Sequence, residues 1–324
     1  MPLYLGIDTS NYTTSAALYD SDTGVLIQRK RLLPVKEGEL GLRQSDAVFE
    51  HVRQLGETVS GLFSETGARE IAAAGVSNRP RDVEGSYMPC FLVGVAAAEC
   101  VSAARQIPLF RFSHQQGHIA AALYSAGRLD LLKERFFAFH VSGGTTECLL
   151  VEPDESRIFR CEKLADSLDL KAGQAVDRVG VMLGLPFPAG PELEKLALKS
   201  DRIYKIKPTM KEGGCCLSGV ENRCKAMREA GEPPEHIARF CLDSIGAALS
   251  GMTEAALTKY GRLPILYAGG VMSNSILRRQ FETNYGGIFA EPAFSSDNAA
   301  GVAVLASVAD RGREGAPEWP DSQS

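Results

Sequence analysis

Two histidines four residues apart, His114 and His118 in RFSHQQGHIAAALY, offer the first chemistry along this chain. On a helix that spacing puts both imidazoles on one face, one turn apart, which suits a single divalent metal ion. Two histidines satisfied by packing are the other reading, and a third ligand decides between them. Asp297, in SSDNAAG, immediately precedes a run of small residues and reads as a helix N-cap, yet it is also placed to supply a metal oxygen. Metalloprotease chemistry needs a glutamate directly after the first histidine. Gln115 stands there, so peptidase activity is not expected.

Glycine pairs mark two more sites. His140-Val141-Ser142-Gly143-Gly144-Thr145 follows an apolar run, and paired glycines there let the backbone approach a phosphate while the hydroxyls offer further donors. An ordinary β-turn is the alternative. Tyr267-Ala268-Gly269-Gly270-Val271-Met272-Ser273-Asn274 repeats the logic at a strand-to-helix junction, where the glycines leave room for a flat nucleoside and Asn274 can cap the helix or bond a ligand. Asp177, in LKAGQAVDRVG, sits on the polar face of a helical pattern and reads, on its own, as a solvated carboxylate paired with Arg178 or Arg202.

The elements that must position these residues come from periodicity. Apolar runs at Leu3–Ile7, Ser15–Leu18 and Val25–Ile27 read as three antiparallel strands. Phe136–Phe159 repeats the arrangement: at an offset of 132 residues Ser10 falls on Ser142, Thr13-Thr14 on Thr145-Thr146 and Leu18 on Leu150, which suggests internal duplication. Helices are expected at Asp46–Phe63, Phe91–Ala104, Ala172–Leu183, Pro191–Leu198 and Ile237–Tyr260. Strands fall at Ile71–Val76 and Ile265–Ala268, and a helix begins near Ser273. A meander followed by helices, given twice, implies an α/β architecture of two similar lobes with a cleft between them. The first lobe is expected over residues 1–108, with the last helix (298–311) packing back on it. The second spans 109–297, and 312–324 form a frayed tail.

Composition removes several classes of function. The chain has 324 residues, with 35 Lys and Arg against 40 Asp and Glu; a net charge of −5 without a long basic run argues against a surface-wide nucleic-acid stripe and leaves only local clusters such as Arg79/Arg81 or Arg278-Arg279. The small-apolar stretch Cys90–Ala104 is interrupted by Glu99 and falls short of the roughly 20 residues that span a bilayer, so no membrane association is expected. The N-terminal MPLYLGIDTS lacks a targeting pattern. Eight cysteines show no C-x-x-C pair and read as reduced thiols of a cytoplasmic protein, one member of Cys215-Cys216 facing the core.

Taken in order, LGIDTS at Leu5–Ser10, the His114–His118 pair, VSGG at Val141–Gly144, AGQAVDRVGVMLGLPFPAGP at Ala172–Pro191, LSG at Leu217–Gly219, AGGVMSN at Ala268–Asn274 and SDNAA at Ser296–Ala300 resemble the tRNA threonylcarbamoyltransferase family, TsaD or Gcp, formerly called O-sialoglycoprotein endopeptidase. The likeness spans most of the chain. It implies the duplicated actin/Hsp70/sugar-kinase (ASKHA) fold. It also implies one divalent metal on His114, His118 and Asp297, and a nucleotide (ATP, AMP or an acyl-adenylate) on His140, Val141, Ser142, Gly143, Gly144, Asp177, Gly190 and Asn274. The donor set suits iron or zinc better than magnesium. The family reaction moves threonylcarbamoyl from its adenylate to the tRNA adenosine beside the anticodon, in t(6)A synthesis. Implied partners are tRNA, a second ASKHA-type subunit and an ATPase.

Departures from the family pattern concentrate at acids and bases. The first loop, usually E-T-S-C-D-E-T, is here Asp8-Thr9-Ser10-Asn11-Tyr12-Thr13-Thr14, so Tyr12 and Thr13 replace an acidic pair and are the candidate catalytic positions. Ser113 and Thr145 stand where histidines are usual, Leu170 and Gln174 where acids are, Glu221 where a lysine is, and Asn78-Arg79-Pro80-Arg81 where a G-P-G loop is. The pattern fits a diverged paralogue. It leaves two alternatives to the transferase: a catalytically silent nucleotide-binding regulatory subunit, or a carbamoyltransferase with another acceptor.

Overall fold

The computed structural model describes residues 2–10, 12–34, 42–68, 70–294 and 298–314. In chain order the elements are β1 (Leu3–Ser10), β2 (Thr13–Asp20), β3 (Leu26–Leu32), α1 (Gln44–Thr66), β4 (Ala73–Arg79), α2 (Phe91–Arg105), β5 (Leu109–Ser113) and α3 (His114–Ser125). Then come β6 (Phe136–Val141), β7 (Thr146–Asp154), β8 (Ile158–Asp166), α4 (Ala172–Met182), α5 (Gly190–Ala197), β9 (Thr209–Lys211) and β10 (Gly214–Cys216). The chain continues through α6 (Ser218–Glu229), α7 (Pro234–Tyr260), β11 (Ile265–Ala268), α8 (Ser275–Tyr285), β12 (Ile288–Phe289) and α9 (Ala299–Glu314). Glycines 269 and 270 lead first into a short 3-10 turn, Gly270–Ser273, so α8 starts two residues later than its sequence pattern indicates.

Two units divide the chain: residues 1–132 with 153–160 and 293–324, and residues 133–152 with 161–292. The first is a mixed five-stranded sheet in the order β3-β2-β1-β4-β5. β1, β2 and β3 pair antiparallel, while β4 and β5 extend the sheet parallel to β1. β5 pairs with β4, and that pairing carries the unit past residue 108 into α3. Six consecutive residues of β1 are buried, as a central strand covered on both faces requires. Strand alternation sends Leu5 and Ile7 toward a core shared with Leu55 and Leu62 of α1 and Ala98 of α2. Gly6, on the opposite face, lies against α9, where a Cβ would come within 2.1 Å of the Ala299 carbonyl oxygen. The last helix thus closes the first unit. β3, at the sheet edge, is charged and pairs Arg29 with Glu65 and Arg31 with Glu57, which blunts the edge.

The second unit repeats the plan: a sheet in the order β12-β11-β6-β7-β8, with β11 and β12 parallel to β6 and β7 antiparallel to it. The register repeats too, since Leu5 faces Leu18 across β1 and β2 while Phe137 faces Leu150 across β6 and β7, each 132 residues on. Its core stacks Phe139 on Tyr267 at 4.9 Å and Tyr267 on Phe289 at 5.3 Å, and the Tyr267 hydroxyl meets Thr253 Oγ1 of α7 at 3.1 Å. All eight cysteines are free; Cys215 is buried and Cys216 half-buried, so one of the adjacent pair faces the core. Among the described residues no helix is long and apolar enough to cross a membrane. The expected tail after Arg311 falls mostly outside the described residues.

Candidate functional site

In the first unit, β5 ends directly in α3. Ser113 makes the junction: its hydroxyl accepts from the Gln116 amide at 3.2 Å while Gln116 Oε1 accepts from the Ser113 amide at 2.9 Å, a capping box that starts the helix on His114. Gln116 is further tied by its side-chain amide to the carbonyls of Arg157 and Phe159, 3.1 Å each. On this braced first turn the His114 and His118 rings face each other edge-on, centroids 4.6 Å apart. His114 Nδ1 lies 2.9 Å from Asp8 Oδ2, and its Nε2 lies 3.3 Å from the Asn298 amide nitrogen. Burial alone would raise the Asp8 carboxyl pKa; its pairing with His114 and a hydrogen bond from the Ser10 amide outweigh it and hold the pKa below the usual value.

Two imidazoles on one helical turn, one of them oriented by a carboxylate, make a donor set that fits a divalent transition metal. Asp297 lies outside the described residues, and among those that are described no three His, Cys, Asp or Glu side chains are placed to hold one metal ion. Tyr12 is exposed in the β1–β2 turn, its carbonyl accepting from the Leu33 amide at 2.9 Å, and Thr13 opens β2 opposite Ser10.

The second unit holds a cavity of about 480 Å³ at the carboxyl ends of β6 and β11, where parallel strands of α/β sheets present their ligand sites. Ser142, Gly143, Asp177, Gly190 and Asn274 line it; His140, Val141 and Gly144 do not. The Ser142 hydroxyl accepts from the amides of Gly144 (3.3 Å) and Thr145 (3.1 Å), so it holds the turn after β6 in shape. A Cβ on Gly143, Gly144 or Gly270 would meet nothing within 4 Å, which leaves bare backbone facing open space. Gly173, at the start of α4, is packed: a Cβ there would lie 2.5 Å from the Gly143 nitrogen.

The structure corrects the reading of Asp177 as a solvated partner of Arg178 or Arg202. Its Oδ1 accepts from the Ala189 amide at 2.8 Å, Arg178 pairs with Glu221, and Arg202 pairs with Glu232. Asn274 does cap a helix, accepting from the amides of Ile276 and Leu277 while it lines the cavity. The expected basic clusters are partly neutralised, Arg79 by Asp82 and Arg278 by Glu282. Two functional candidates lie outside the sequence reading. Glu194 Oε1 ties α5 to the start of α8 through Ser275, and Asp8 is a carboxylate in an otherwise uncharged strand.

This fold is the one shared by actin, Hsp70 and sugar kinases. HypF from T. kodakarensis superposes with a TM-score of 0.61 at 13% identity, over 99% of this chain and 48% of that one. Component A of (R)-2-hydroxyglutaryl-CoA dehydratase from Acidaminococcus fermentans gives 0.56 at 14% identity, over 96% and 99%. Residues 40–304 match the TsaD family, tRNA N6-adenosine threonylcarbamoyltransferase, and the chain is 29% identical to the Bacillus licheniformis protein of that name across 94% of its own length and 91% of the relative's. The chain belongs to the TsaD family, and its function is tRNA threonylcarbamoyltransferase-like.

Proposed function

We propose that this protein is a metal- and nucleotide-binding transferase that moves threonylcarbamoyl from its adenylate to the tRNA adenosine beside the anticodon. The observation that carries the reading is the second-unit cavity, in which five residues of the family nucleotide pattern, Ser142, Gly143, Asp177, Gly190 and Asn274, converge from four separate segments. The bare Gly143 and Gly270 backbone accommodates a flat nucleoside and its phosphate, and Asn274 bonds from a helix start. His140, Val141 and Gly144, which do not line this pocket, adjoin Ser142 and Gly143 and serve by holding that turn in place.

His114, His118 and Asp297 would hold the metal, iron or zinc in preference to magnesium. When bound, the ion supplies Lewis acidity toward the acyl anhydride and a template for substrate oxygens. The partners are tRNA, a second ASKHA-type subunit and an ATPase, in the cytoplasm.

A second reading, a silent regulatory subunit or a carbamoyltransferase with another acceptor, is favoured by one feature: Tyr12 and Thr13 offer hydroxyls where the family pattern has two carboxylates. Transfer of labelled threonylcarbamoyl to tRNA, by the metal-loaded protein with and without candidate subunits, separates the two. Turnover by the unaltered chain supports the transferase. No turnover despite ATP and metal binding supports the second reading, and rescue by Tyr12→Asp/Thr13→Glu locates the lost chemistry in that turn.

A further inference from the structure

A carboxylate buried inside a strand is heavily penalised by desolvation unless its oxygens are committed, and those of Asp8 are. Oδ1 accepts from the Ser10 amide at 3.0 Å; Oδ2 takes His114 Nδ1 at 2.9 Å. The Asp8 side chain is 1% exposed against 23% for His114, so the carboxylate lies behind the imidazole and the ring reaches outward from it. The topology enforces this arrangement. Asp8 shares the face of β1 that carries Gly6, the face on which α9 packs, and the capping box makes His114 the first residue of α3.

An ionised carboxylate only accepts hydrogen bonds, so the proton between these groups belongs to Nδ1, and a neutral His114 keeps its lone pair on Nε2. The Asn298 side-chain amide nitrogen lies 3.3 Å from Nε2. We propose that Asp8 is a positioning residue: it holds His114 in the Nδ1–H tautomer and presents the Nε2 lone pair as a donor for a divalent metal. Hydrogen bonds of this kind from a metal-binding histidine to a carboxylate typically contribute about 10–100-fold to metal affinity. The assignment rests on the metal reading given under Proposed function.

The test uses the full chain. Long-range proton–nitrogen spectra of the metal-free, histidine-labelled protein, with His114→Gln to identify the signals, should show Nδ1 protonated and Nε2 bare at His114. Calorimetric titration with zinc alone should then give an affinity about 10–100-fold weaker for Asp8→Asn and near the unaltered value for Asp8→Glu, which restores the carboxylate. A His114 carrying its proton on Nε2 overturns the proposal, as does undiminished zinc binding by Asp8→Asn. Absence of zinc binding by the unaltered protein overturns the metal reading and this assignment together, a result distinct from the other two. The tautomer is read on the unaltered chain, so the proposal stays testable if Asp8→Asn fails to fold.

Discussion

Asp177 Oδ1 accepts the amide hydrogen of Ala189 at 2.8 Å, so a carboxylate on α4 closes the turn that leads into α5. Ala189 is fully buried, and its amide loses this acceptor when the carboxylate is removed. Asp177→Ala is therefore expected to lower the free energy of urea unfolding by about 1–3 kcal/mol. The same change should weaken ATP binding by about tenfold or more, roughly 1.4 kcal/mol, in calorimetry. Asp177→Asn keeps an acceptor and most of the stability. Unchanged ATP affinity in the alanine variant would contradict the placement of the nucleotide in this cavity.

Gly143 and Gly173 touch the same turn and should respond oppositely to alanine. A methyl on Gly143 enters open space, so folding stability should stay within about 0.5 kcal/mol while nucleotide affinity falls. A methyl on Gly173 meets the Gly143 nitrogen at 2.5 Å and the Ser142 carbonyl carbon at 2.7 Å, backbone that has little room to move. Gly173→Ala should cost about 1–3 kcal/mol, read from thermal and urea unfolding.

Helices α3 and α9 approach through Gly117 and Gly301, where a Cβ on Gly301 would lie 1.9 Å from the Gly117 carbonyl oxygen. Gly301→Ala should destabilise by about 3 kcal/mol, the upper part of the overpacking range. Because α3 carries both histidines, zinc affinity should fall in parallel. An alanine variant with wild-type unfolding would show that the two helices are not in contact in solution.

His51 is buried in α1 with Nδ1 2.8 Å from the Thr14 hydroxyl, and burial lowers its pKa below 6.5. The unfolded chain takes up the proton near pH 6.5 and the folded chain only at lower pH, so this stability is present above pH 6.5 and declines below it. The slope for one proton is about 1.4 kcal/mol per pH unit. Urea unfolding as the pH falls below 6.5 should show this decline, and His51→Gln should flatten it. Asp8, held below 3.8, adds a second loss of stability in more acidic solution, once its carboxyl takes a proton.

Local pattern carried much of this structure. The offset of 132 residues appears as one register shared by the pairs Leu5 with Leu18 and Phe137 with Leu150, because alternation along a strand fixes which face each side chain takes. Glycine pairs likewise marked the ends of β6 and β11, where the cavity opens. Asp8 was hidden for a physical reason. Its partner is 106 residues away and is reached only because β4 and β5 add in parallel beyond β1, an order that no spacing encodes. Asp177 misled by proximity: Arg178 is adjacent in sequence, but successive residues of a helix point about 100° apart, and Arg178 turns to Glu221 on α6.

The first unit is built from both ends of the chain, with the second inserted between them. During synthesis, residues 1–132 emerge early, yet the face of β1 around Gly6 stays uncovered until α9 has been made. At 5–20 residues per second that wait is on the order of 10–30 s, in which the nearly continuous second unit can complete its own core. Until then one face of the first sheet lies open, and the last helix is the element that closes it.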